Sequence, residues 1–132
     1  MAKKILDNNI DIKNITKSAL PRALFVGIYK KILGNKYELS LSFVSIKEMK
    51  NLSIEWKGNE DHMNVLSFPL SKNSGEIFIC PEIAKKECLN FGYGCRQHIK
   101  FLVIHGMLHL AGFKHGSKME SEEKRLMKHF SR

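Results

Sequence analysis

Apolar and polar positions change period several times along this 132-residue chain, and each change marks an element. The alternation is clearest in YELSLSFV, where Leu39, Leu41 and Phe43 take turns with Glu38, Ser40 and Ser42. That is the period of a strand with one buried face. Upstream, KKILDNNIDI reads as a short first strand. From about Asn14 to Leu33 the period lengthens: Leu20, Leu24 and Ile28 recur at helical spacing, and Gly34-Asn35 ends the run. Pro21 must start or kink that helix, since it has no amide hydrogen to give. Ser45-x-x-Glu48 is a capping-box pattern that opens a second helix toward Trp56.

Two short apolar runs, VLSFPL and GEIFIC, flank SKNSG and predict strands joined by a hairpin-like loop. Pro81 suits the first turn of a helix that ends at Gly92. From about Arg96 to Ala111 the chain is strongly apolar, which predicts a largely buried helix, and Gly112 stands where a left-handed C-cap belongs. Ser117-x-x-Glu120 is a second capping box, opening a last helix with Leu126, Met127 and Phe130 on one face. The expected fold is a single α+β domain over residues 1–132, a small mixed sheet of about four strands covered by helices.

Composition narrows the class. With 43% hydrophobic and 27% charged residues the chain is globular rather than disordered. No apolar run approaches a membrane span, and MAKKILDNNI lacks the apolar stretch of a signal peptide. Cys80, Cys88 and Cys95 cannot all pair and form no C-x-x-C unit, so they read as small buried hydrophobes in a reducing cytoplasm. The net charge of +9 suits a phosphate-rich partner. The bases are evenly spread, however, eleven in residues 1–60 and eleven in 61–132. Charge alone therefore does not separate nucleic-acid binding from a generally basic surface.

The chemistry concentrates in HGMLHLAGFKH, residues 105–115. Residues four apart lie on nearly one face of a helix, so His105 and His109 can offer two imidazole nitrogens to one ion. Gly112 lets the chain turn back sharply, which brings His115 to the pair as a third ligand. Three protein nitrogens and one open position is the arrangement of a catalytic zinc. A lone H-x-x-x-H is a weak signal, and a histidine on an apolar helix is usually a core residue with one hydrogen bond. The third histidine and the turn glycine set this stretch apart. Peptidases of the H-E-x-x-H type carry their general base directly after the first histidine, and here Gly106 holds that place, giving a substrate room instead. Peptide hydrolysis is the weaker reading.

These residues resemble a known family. HGMLHLAGFKH is similar to the H-G-x-L-H-L-x-G-[YF]-D-H signature of the YbeY family of bacterial endoribonucleases and rRNA maturation factors. NVLSFP at 64–69 resembles its [DN]-V-L-S-F-P strand, and GEIFIC the strand that follows; the likeness runs from about residue 37 to the end. The resemblance implies a metal-dependent endoribonuclease acting on rRNA precursors of the small ribosomal subunit, in 16S rRNA 3′-end processing and ribosome quality control. It implies zinc, or another divalent transition metal, held by His105, His109 and His115. Two positions depart from the pattern. Lys114 stands where the family has Asp. Lys57, in WKG, stands where it has a functionally implicated arginine, keeping the charge but losing the bidentate fork. Lys57 and Gly106 are the candidate catalytic positions, and Lys57 and Lys114 the candidate substrate contacts.

Other residues carry blander expectations. Trp56 reads as core or rim, and His62, His98 and His129 lack ligand spacing. Lys124, Arg125, Lys128 and Arg132, offset by Glu120, Glu122 and Glu123, read as a solvated face of the last helix. Two rivals stand beside the endoribonuclease: a metal-dependent hydrolase of another substrate, and a non-catalytic ribosome-assembly factor that uses its metal structurally. Structural zinc is usually closed by four protein ligands, so an open position separates the rivals.

Overall fold

The computed structural model describes residues 9–57, 64–91 and 94–131, without the side chains of residues 56, 57, 90 and 91. Its elements run β1 (Ile10–Asn14), α1 (Arg22–Ile32), β2 (Glu38–Phe43), α2 (Ile46–Lys57), β3 (Val65–Ser71), β4 (Ser74–Ile79), α3 (Pro81–Phe91), α4 (Cys95–Leu110) and α5 (Ser117–His129). The strands form one sheet in the order β1-β2-β4-β3. β1 and β4 lie parallel to β2, and β3 returns antiparallel to β4 through the expected hairpin. The α+β class and the four-stranded mixed sheet are those the sequence predicts. No helix among the described residues is long and apolar enough to cross a membrane.

Alternation along β2 and β4 sends Leu39, Leu41, Phe43, Ile77 and Ile79 to one face of the sheet. They meet Phe25, Ile28 and Tyr29 of α1, Leu102, Val103 and Ile104 of α4, and Met119 and Leu126 of α5 in one core. A smaller cluster of Val44, Met49, Leu66, Cys80 and Ile83 sits apart from it. α4 is the central helix, with nine buried positions from His98 to Leu108. It has few polar residues to satisfy, and it satisfies them: buried His98 pairs with Glu87 at 3.0 Å, and buried Lys100 donates to the Phe130 carbonyl at the end of α5, at 2.8 Å.

Three expectations need correction. The first helix starts at Arg22, not near Asn14. Asn14 Oδ1 accepts from the Thr16 amide and hydroxyl while its Nδ2 donates to the Ser18 carbonyl, and such local bonds compete with a helix. Ser45 caps the Glu48 amide at 3.2 Å as expected, but the second capping box does not form. α5 begins one residue earlier in effect, with Gly116 as its N-cap and the Gly116 carbonyl accepting from the Glu120 amide. The cysteines also differ from their reading. Cys80 is a free buried thiol, but Cys88 and Cys95 are disulfide-bonded, their Cα atoms 5.2 Å apart where α3 ends and α4 starts. His62 lies outside the described residues.

Candidate metal centre

The C-terminal half of α4 and the turn after it build the centre. α4 stops in a paired motif: the Gly112 amide bonds the His109 carbonyl and the Phe113 amide reaches back to the Leu108 carbonyl, both at 3.0 Å. That closure needs a left-handed residue, and Gly112 supplies it with φ of +103°. The chain therefore reverses, and His115 returns beside His105 and His109. The three ring centroids lie 4.6, 4.5 and 5.5 Å apart. One ligand nitrogen from each ring lies within 4.8 Å of the other two. Among the described residues this is a cluster of three, with no fourth His, Cys, Asp or Glu joined to it.

One partner of the cluster was not foreseen. Glu123 is buried, and its Oε2 lies 2.5 Å from His105 Nδ1. The carboxylate accepts the Nδ1–H and so leaves the Nε2 lone pair of His105 for an ion, the usual arrangement around metal-bound histidines. On the last helix Met119, Glu123 and Leu126 are the buried positions, so Glu123 belongs to the inward stripe, not to the solvated face. A signal was present: an acid at i+4 from one apolar residue and i−3 from another shares their helix face.

The surroundings of His109 favour its neutral form. Burial pushes its pKa down, the charges of His105 and His115 push the same way, and a backbone bond at Phe113 and the charge of Glu123 oppose them in part. A metal ligand must be deprotonated, so the shift favours binding. The donor set of three imidazoles, one fixed in its tautomer by a carboxylate, fits a zinc-type ion. The three rings border a cavity of about 420 Å³ whose other wall is Asn64 with Val65, Leu66, Ser67 and Pro69 of β3.

Other candidate positions fall around this cavity differently. Gly106 is buried and faces the sheet: a Cβ there would stand 3.1 Å from Ser67 Oγ and 3.2 Å from Ile77. Its carbonyl accepts the Ser67 hydroxyl at 3.1 Å. The space that Gly106 leaves is thus filled by β3 and β4, drawing α4 close enough to the sheet to set the histidines over the β3 edge. Gly106→Val is expected to cost about 1–3 kcal/mol through overpacking; a urea-unfolding midpoint equal to wild type would show that the helix has room. Lys114 is exposed on the turn, lining a neighbouring hollow of 111–118 that shares His115 with the cavity. Lys57 closes α2, and its side chain, like that of Trp56, lies outside the described residues.

An α+β fold whose mixed sheet carries a three-histidine cluster beside β3 defines a protein with the donor set for a metal ion. The chain belongs to the YbeY family: the family model described as Endoribonuclease YbeY matches residues 3–132. A protein named Endoribonuclease YbeY from Campylobacter jejuni (strain RM1221) is 35% identical, over 71% of this chain and 76% of its own. Another of that name, from Alkaliphilus metalliredigens, is 29% identical over 92% of this chain and 87% of its own. The solution structure of TM1509 from Thermotoga maritima superposes with a TM-score of 0.70 at 26% identity, covering 92% of this chain and 88% of that one.

Proposed function

We propose that this chain is a zinc-dependent endoribonuclease of the cytoplasm that acts on rRNA precursors of the small ribosomal subunit, in 16S rRNA 3′-end maturation and ribosome quality control. The observation that carries the reading is the three-histidine cluster at the wall of an open cavity, in a chain of an endoribonuclease family. His105, His109 and His115 hold the ion, and Glu123 fixes the ring of His105. A bound zinc supplies Lewis acidity and a nucleophile near neutral pH. The residues around it do the rest. The +9 charge draws the polyanion in, Lys57 neutralises the phosphate undergoing cleavage, and Lys114 faces substrate beyond the histidines. The three-membered cluster favours this reading over a structural metal, which four protein ligands would close.

A cleavage assay on fragments spanning the 3′ end of 16S rRNA precursor tests the reading. Zinc-loaded protein cuts and chelator-treated protein does not; cutting that survives chelation sinks the metal-dependent mechanism. Lys57→Ala is expected to lower the cleavage rate more than it weakens binding, because charge at a developing phosphorane counts most in the transition state. Equal losses would make Lys57 an ordinary phosphate contact. Binding itself should weaken steeply with salt as counterions are released. An affinity that stays flat across a salt series would leave the positive charge as a solubility feature.

A further inference from the structure

β3 is one of the two edge strands of the sheet, and the way it pairs decides which of its backbone groups are free. The Cys80 amide donates to the Asn64 carbonyl at 3.1 Å, just before Val65 pairs with Ile79. In an antiparallel ladder bonded and non-bonded pairs alternate, so Leu66 and Phe68 spend their amides on β4. Val65, Ser67 and Pro69 turn theirs outward. The Val44 amide bonds the Ile79 carbonyl from the β2 side, which fixes the same parity from the other edge of β4. Pro69, which has no amide hydrogen, stands at one of the outward positions, as edge prolines do. Among the described residues no group accepts from the outward amides of Val65 and Ser67. Both residues line the cavity that holds His105, His109 and His115.

We infer that the free edge of β3 is a binding rail for the phosphodiester backbone of single-stranded RNA, with the Val65 and Ser67 amides donating to phosphate oxygens beside the histidines. The inference rests on the endoribonuclease reading and deepens it. Two residues of strand separate the amides by about 6.6 Å, too far for one oxygen, so each serves a separate acceptor along an extended strand. The carbonyls of Val65 and Ser67 turn outward with their amides and accept hydrogen bonds, and a ribose 2′-hydroxyl donates one, the group by which proteins tell RNA from DNA. Backbone donors carry no base preference, which suits contacts that position a strand for cutting. An extended peptide is the other occupant an exposed edge can take, and the net charge of +9 favours the polyanion.

The test is an amide-resolved NMR titration of the zinc-loaded full chain with an unmodified single-stranded RNA oligomer, recorded at low temperature to slow cleavage. The Val65 and Ser67 amide resonances are expected to move, and those of Leu66 and Phe68, which face β4, to stay near their free positions. Bound RNA that leaves residues 65 and 67 unmoved overturns the inference while the endoribonuclease reading stands. A zinc-loaded protein that binds no RNA by fluorescence anisotropy brings down both. A peptide that shifts these amides where RNA does not assigns the edge to a protein partner and overturns the inference as well. A paired substitution gives a second readout: Ser67→Pro should bind RNA roughly tenfold more weakly than Ser67→Ala, the loss of one charge-assisted hydrogen bond. Equal affinities of the two folded variants count against the rail.

Discussion

His109→Ala is expected to abolish stoichiometric metal binding and, with it, cleavage, while leaving the fold standing. His109 is the middle ring of the cluster, within 4.6 Å of His105 and 4.5 Å of His115 between ring centroids. Its loss leaves two imidazoles, one of them on an exposed turn, and two ligands do not hold a catalytic zinc. The substitution takes no residue from the main core, which is built from neighbours such as Leu102, Val103, Ile104 and Leu108. Metal analysis of protein purified without chelator, together with thermal unfolding in the absence of metal, separates the two effects. One zinc per chain retained by the variant would move the site elsewhere.

The same residue sets a pH dependence. His109 has a pKa below its ordinary value of 6.5, chiefly through burial and next through His105 and His115. An unfolded chain binds that proton more readily than the folded one once pH drops below the ordinary value. The metal-free protein therefore loses stability as pH falls from about 6.5 toward the lower folded value, and none from this group above it. Protons also compete with the ion for the same nitrogens, so metal affinity falls over that range. Stability of the metal-free protein that is level from pH 7 to 5 would show that His109 takes up its proton without cost.

Much of this was legible in the chain because each element has a clean period. β2 alternates without a break, the turn-forming SKNSG contains the Lys72-Asn73 turn between β3 and β4, and Gly112 is followed by a residue whose amide can close the helix. The histidine spacing places two imidazoles on one helix face, and the glycine predicts the return of the third. What escaped was tertiary. Asn14 and Thr16 look like any polar pair until the side chain of Asn14 is seen to bond the next turn. Ser117 looks like a cap, but Gly116 takes that place. The Cys88–Cys95 bond depends on how α3 meets α4, which no local pattern records. Gly106 reads in the sequence as room for a substrate; that room is spent on Ser67 and Ile77 because α4 lies directly on β3 and β4.

Glu123→Ala is expected to weaken zinc binding about 10–100-fold, the usual effect of removing the carboxylate behind a ligating histidine. The family signature has Asp just before the third histidine, and Lys114 offers no acceptor. The acceptor for the first histidine comes from α5, where Glu123 shares the buried stripe of Met119 and Leu126 and stands 2.5 Å from His105 Nδ1. Without it His105 is free to rotate or to present its other tautomer, and the ion loses a pre-oriented ligand. Glu123→Gln keeps an oxygen that accepts the Nδ1–H and nearly the same volume, so it should retain more affinity than Glu123→Ala. Zinc dissociation constants from competition with a chromogenic chelator, with circular dichroism as the control on fold, measure the difference. Affinities for both variants equal to wild type would reduce Glu123 to a tie between α4 and α5, and would leave His105 to be oriented by the packing of Phe101, whose ring centroid lies 5.8 Å away.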